Sequence, residues 1–269
     1  MMNLTPTVKQ LLIINVLFFI GTYIVTEEPV AFRILALHAP QNDDFQFWQP
    51  LTHMFMHGGL MHIFFNMFAL ISFGSLLENI WGPKKFIFFY ISCGLGAAAL
   101  HMGVNYWEIQ NTLSQISYLE LSDATIHQIL NVPVIQNGQL TTIYFEREVP
   151  EILRQLNKPT TDLQVLFDAT VVNQIPAVGA SGAIYGIMVA FAFLFPTAEL
   201  MMMFIPIPIK AKYFVPGIVA LDLYLGVTGK SLFGSGGGIA HFAHIGGALV
   251  GFIMMWYWKK TQFNNNRWN

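Results

Sequence analysis

The chain has 269 residues, of which 54% are apolar and only 10% charged, with a formal net charge of −2 and a mean hydropathy of +0.52. An ordinary soluble domain carries about 25% charged residues, so this balance points to a membrane class, and nothing in the near-neutral charge suggests a nucleic-acid binder. The single cysteine, Cys93, sits inside an apolar run and excludes an intrachain disulfide framework.

The first apolar stretch, roughly residues 10–26, follows Lys9 and has no small-residue cleavage pattern behind it, so it reads as a retained first helix and not a signal peptide. Further apolar segments centre on 59–78, 86–106, 181–196, 213–228 and 240–258, each near the ~20 residues that cross hydrocarbon. Six spans put both termini on one face. Lys9, Lys84, Lys85, Lys210, Lys212, Lys259, Lys260 and Arg267 share it, and the positive-inside rule makes it cytoplasmic. The opposite face carries Glu27, Glu28, Asp43 and Asp44 and the one long polar stretch. The expected organisation is residues 1–106 as helices 1–3 with a first outer loop, 107–177 as an extramembrane insert, and 178–269 as helices 4–6 with a cytoplasmic tail. The expected fold is an all-α membrane protein.

Residues 107–177 are too many for a simple connector. Ile116, Leu119, Ile126, Ile129 and Leu130 recur at helical spacing, Asn137-Gly138 divides Val132–Ile135 from Leu140–Phe145 like a tight hairpin, and Pro150 is placed to open a helix through Asn157. Eight acids against Arg147, Arg154 and Lys158 leave the insert acidic. A solvated decoration and a substrate-handling role both fit.

The second, fourth and sixth spans all run from the outer face inwards, and each begins with a polar group: His62 and Asn66, Ser181, and His244. Ionisable groups inside a membrane are costly and mark function. A serine with a histidine at matched depth is the pattern of nucleophilic catalysis, with neutral His244 accepting the Ser181 proton and returning it to the leaving amine. No acid lies in the first part of the sixth span. Asp222 in the fifth is a weak candidate for orienting the imidazole. His62 and Asn66, at i and i+4 on one helix face, can hold an oxyanion with the backbone N–H groups near Ser181, or can serve as interhelical polar contacts. Gly182 and Gly186, and Gly247 and Gly251, form small-residue faces that let the helices carrying Ser181 and His244 approach closely. Tyr185, one turn below Ser181, either packs on His244 or is a core aromatic.

His62-Ile63-Phe64-Phe65-Asn66, Gly179-Ala180-Ser181-Gly182 and Ala243-His244-Ile245-Gly246-Gly247 with Gly251 resemble, in order, the three core motifs of the rhomboid intramembrane serine proteases. The resemblance covers all six spans. It implies a six-helix rhomboid-like bundle that cleaves a peptide bond in or near a substrate's transmembrane segment, with Ser181 as nucleophile and His244 as base. It also implies an oxyanion hole of His62, Asn66 and the Ser181 amide, shaped by Gly179. Two features depart from the family pattern. Trp48 is followed by Gln49 where many members carry arginine, and the 107–177 insert is absent from compact members.

His53, His57, His101 and His241 have no spacing that makes a metal site, and Met201-Met202-Met203 reads as packing in an inner loop. No cofactor, metal or nucleic acid is expected; the expected partners are transmembrane protein substrates and membrane lipid. A catalytically silent rhomboid-like binder of transmembrane helices and, less well supported, a small proton-coupled transporter are the alternatives, although the complete serine–histidine set speaks against the first. A transporter should show an internal repeat or paired broken helices; only Pro206, Pro208 and Pro216 interrupt the pattern. Short loops and the basic inner face fit a bacterial inner membrane.

Overall fold

The computed structural model describes residues 4–25, 28–136, 139–202, 205–229 and 239–265. The apolar runs become helices. α1 (Pro6–Ile20) opens on a proline, whose missing N–H falls in the first turn where no intrahelical partner exists, and it continues into a π-helical turn, Gly21–Val25. Two short helices follow, α2 (Glu28–Leu35) and α3 (Gln49–Thr52). α4 (Leu60–Ala69) passes through a π-helical turn, Leu70–Gly74, into α5 (Ser75–Trp81), giving one apolar rod of 22 residues. Gly82, at φ 78°, ends it in the left-handed region that favours glycine, and α6 (Pro83–Ser114) runs for 32 residues. Next come α7 (Asp123–Leu130), the strands β1 (Ile135–Gln136) and β2 (Gln139–Leu140), α8 (Ile143–Gln155) and α9 (Leu163–Gln174). The chain closes with α10 (Ser181–Leu194), a hairpin of β3 (Glu199–Met202) and β4 (Ile205–Lys210), α11 (Ala211–Thr228) and α12 (Ile239–Asn265).

Among the described residues, five helices are long and apolar enough to cross a membrane: Pro6–Ile24, Leu60–Trp81, Pro83–Ser114, Ala211–Thr228 and Ala240–Lys259. The fourth apolar segment differs. α10 has 14 residues, a rise of about 21 Å against a hydrocarbon core of about 30 Å. Its surface is apolar all round, and from Gly182 to Phe191 every residue but Tyr185 is buried. A helix enclosed in this way faces protein, so its length is not set by lipid.

The chain divides into two compact units. The first comprises residues 1–21, 50–101 and 178–269, with a core built on Phe86, Phe89 and Tyr90 of α6, Leu77 of α5 and Ile187 of α10. Glycines set its helix spacing. A methyl group on Gly247 of α12 would lie 1.8 Å from the Gly182 carbonyl oxygen of α10, and one on Gly251 would lie 2.7 Å from the Gly186 Cα. α6 joins the same contact, since a methyl on Gly96 would meet the Val250 side chain at 2.3 Å and one on Gly246 the Gly96 carbonyl oxygen at 2.6 Å. Bare backbones therefore touch, and van der Waals packing replaces the hydrophobic drive that lipid removes. Glu78 anchors the start of α1: its carboxylate accepts the Thr5 hydroxyl at 2.5 Å and the N–H groups of Thr7 and Val8 at 2.9 and 3.0 Å. An anion suits the positive end of a helix, and these donors have no partner within it.

The second unit comprises residues 22–49 and 102–177, so most of the segment between the first two apolar runs shares it with the insert. Leu37 and Ala177 exchange two backbone hydrogen bonds at 2.9 and 2.8 Å, and the Asn42 amide donates to the Asn173 carbonyl at 2.9 Å. Its core includes Ile109, Leu119, Ile129, Phe145, Val149 and Leu166. Three expectations for the insert change. Pro150 does not open a helix but lies inside α8; the buried row Phe145, Val149 and Leu153 at i, i+4, i+8 outweighs one missing backbone bond. The segment 116–130 is not one helix, because Ser122 starts α7 afresh by accepting the Thr125 N–H at 3.2 Å. The hairpin pairs Ile135 with Leu140 and Gln136 with Gln139, but its second arm ends at Leu140 and helix begins at Ile143. Its expected turn, Asn137-Gly138, lies outside the described residues, as do Glu27, Met203 and Arg267.

Candidate active site

The site lies in the first unit and begins with the turn into α10. Gly179 adopts φ +129°, where L side chains are strained, and its N–H donates to the His53 carbonyl at 2.9 Å. This turn, open to glycine, directs the chain into Ser181, the first residue of α10. The close α10–α12 contact then brings Ser181 Oγ to 2.8 Å from His244 Nε2. That is hydrogen-bond distance for transfer of a proton from hydroxyl to imidazole. Tyr185 lies flat on His244, with ring centroids 4.3 Å apart.

His62, one turn into α4, accepts the Gly58 N–H on Nδ1 at 3.2 Å. An accepting Nδ1 leaves the hydrogen on Nε2, and this is the atom that faces Gly179: a methyl there would sit 2.9 Å from His62 Nε2 and 3.4 Å from Ser181 Oγ. The Nε2–H thus borders the space beside the serine. Asn66 is turned back, donating from Nδ2 to the His62 carbonyl at 2.9 Å, which uses one of its two N–H groups within its own helix. His57 is buried beside His62, ring centroids 5.1 Å apart.

From the sequence alone, Asp222 is only a candidate for orienting the imidazole, and His241 has no role. Asp222 of α11 is buried, and its Oδ1 lies 2.5 Å from His241 Nδ1 and 3.3 Å from His244 Nδ1. Two signals pointed to the cluster: Asp222 is the one acid of the fifth apolar run, and His241 precedes His244 by three positions, on the same face of α12. What they lacked was the crossing of α11 and α12. The three residues offer possible metal-ligand atoms within 4.8 Å of one another, but hydrogen bonds among them already account for that spacing.

The rhomboid domain model matches residues 44–108 and 160–261, more than half of the chain. The chain belongs to the rhomboid family. The interval between the two rhomboid blocks falls within the insert. Curated relatives include the mitochondrial rhomboid protein 1 of Saccharomyces cerevisiae, 33% identical over 86 residues (32% of this chain, 23% of the relative). The rhomboid protease AarA of Providencia stuartii is 24% identical over 157 residues, 55% of this chain and 56% of that protein. The rhomboid protease GluP of Bacillus subtilis is 34% identical over 50 residues, 19% and 10% of the two chains. The matches thus span little more than half of any of these rhomboids. Family membership and the run of apolar helices make the chain a multi-pass integral membrane protein. In the first rhomboid loop, Gln49 is buried and stitches the backbone together. Its Nε2 donates to the carbonyls of Asp44, Arg33 and Ile34 at 2.8, 3.2 and 3.4 Å, and its Oε1 accepts the His38 N–H at 3.2 Å. Glutamine therefore supplies loop support at the position after Trp48.

Proposed function

We propose that the protein is an intramembrane serine endopeptidase that cuts a peptide bond in or near the transmembrane segment of membrane-protein substrates. The observation that carries this reading is the 2.8 Å contact between Ser181 Oγ and His244 Nε2 at the start of a buried helix. As His244 takes the hydroxyl proton, Oγ bonds to the scissile carbonyl carbon and its oxygen becomes an anion. The His62 Nε2–H and the N–H groups at the α10 N-terminus are the donors for that anion, each worth about 3–4 kcal/mol in a water-poor site; Asn66 adds its second N–H. The C–N bond then breaks, His244 returns the proton to the leaving amine, and a water deprotonated by His244 hydrolyses the acyl-serine ester. The relatives named as proteases support the same chemistry.

Substrate selection belongs to the insert in this reading. The second unit contains a groove of about 500 Å³ bordered by Gln41, Tyr106, Gln110, Glu120, Asp123 and His127. Both termini lie on the cytoplasmic side, of a bacterial inner membrane, and residues 107–177 on the opposite one.

A fluorophosphonate probe tests the dyad. Wild-type protein in detergent should be labelled at Ser181, Ser181→Ala should not be labelled, and His244→Ala should be labelled at a rate lower by three orders of magnitude or so. Equal labelling of wild type and Ser181→Ala would sink the assignment of the nucleophile.

A further inference from the structure

Resting on the protease reading above, we propose that Asp222 is a positioning residue for the base. Its carboxylate engages Nδ1 of His244 and Nδ1 of His241 together, and so holds His244 in the tautomer whose bare Nε2 receives the Ser181 proton. The working site is then a serine–histidine–aspartate array with His241 as its outer support.

The argument starts from Asp222 as a carboxylate inside an apolar helix. Such a group is costly to bury and persists where other groups compensate it. Two imidazoles do so here, that of the base His244 and that of His241 one turn before it. An ionised carboxylate only accepts hydrogen bonds. Both imidazoles present Nδ1 to Oδ1, at 2.5 and 3.3 Å, so both must carry their hydrogen there. For His244 the remaining ring nitrogen, Nε2, is then a lone-pair acceptor, 2.8 Å from Ser181 Oγ. The opposite tautomer would point a lone pair at the carboxylate and a hydrogen at the serine, and could not act as the base.

The two distances assign different tasks. The shorter, to His241, fixes the carboxylate on α11 against the first turn of α12. The longer, to His244, has room to tighten, and it does so when His244 becomes a cation during serine attack. An interaction that strengthens in the transition state speeds the reaction and does not merely improve substrate binding. Tyr185, stacked on the face of the imidazole at 4.3 Å and 9°, keeps the ring in the plane this bond requires.

Asp222→Asn removes the negative charge with little change in shape. Its kcat is expected to fall by about 10²–10⁴-fold, with KM changed by no more than about threefold, because substrate binding is not what was removed. Fluorophosphonate labelling of Ser181 should slow in parallel, and His241→Ala should slow it by about tenfold, the worth of one supporting hydrogen bond. A purely structural Asp222 would instead lower the unfolding temperature and leave the labelling rate of the folded fraction unchanged. The tautomer is measured without altering Asp222, by solid-state NMR of wild-type protein labelled with ¹⁵N-histidine, with His244→Asn to assign the signals. Hydrogen on Nδ1 and none on Nε2 of His244 at neutral pH is expected. The reverse tautomer, or labelling of Asp222→Asn at the wild-type rate, overturns the proposal. If wild-type Ser181 reacts with no probe while the expected tautomer is seen, the protease reading fails and the Asp222 contact stands, so the two are separable.

Discussion

The Tyr185 and His244 rings lie nearly parallel, inclined by 9° with centroids 4.3 Å apart. Because Tyr185 is on α10, one turn below Ser181, the helix that carries the nucleophile also clamps the base. Tyr185→Ala frees the imidazole and is expected to slow probe labelling by about tenfold, the upper value of an aromatic pair. Tyr185→Phe keeps the stack and loses only the hydroxyl, so it should label at close to the wild-type rate. Equal rates for all three would remove the clamp.

Gly179 has two independent reasons to be glycine. Its φ of +129° strains any side chain, and a methyl would stand 2.9 Å from His62 Nε2, in the space beside the serine. Gly179→Ala should cost about 1–3 kcal/mol in stability and at least about 100-fold in kcat, as donors in this region are displaced. Steady-state cleavage and thermal unfolding of one preparation separate the two effects.

Helix packing makes a contrasting pair of glycine variants. On Gly247 a methyl would lie 1.8 Å from a backbone oxygen, whereas on Gly103 it would meet nothing within 4 Å. Gly247→Ala is expected to destabilise by about 1–3 kcal/mol or more through forced separation of α10 and α12. Gly103→Ala, in α6, should be neutral or stabilise by up to about 1 kcal/mol through reduced chain entropy. Unfolding in detergent by denaturant titration reads both.

His57 links stability to pH. Burial, and then the nearby His62, push it down to about 3 in the folded protein, against about 6.5 in an unfolded chain. Between these values the unfolded state binds the additional proton. The stability is therefore full above about pH 6.5 and declines as pH falls towards 3. The unfolding temperature should drop on going from pH 7 to pH 4, and His57→Gln should flatten that drop. Some slope will remain, because burial lowers His38 as well.

Much of this was legible in the chain. Apolar runs gave the helices, and the glycine pairs 182/186 and 247/251 explain how Ser181 and His244 can meet, since spacing along one helix reports which residues share a face. Asp222 and His241 were not readable as a pair, because their contact depends on where α11 crosses α12, and no local period encodes a crossing. Pro150 misled for a related reason: its local rule says helix start, but the buried row of α8 is a tertiary fact. The same holds for α10, whose 14 residues fall short of a membrane span because protein encloses them, and for Gln49, whose four backbone contacts replace support expected from another residue type.

The most direct test is cleavage of labelled single-span membrane proteins by the purified protein in liposomes, beside Ser181→Ala and His244→Ala variants of confirmed fold, with the product ends located by mass spectrometry. Cuts in or next to the transmembrane segment, made by the native protein and by neither variant, are the predicted result. Products that persist unchanged in Ser181→Ala would contradict the account.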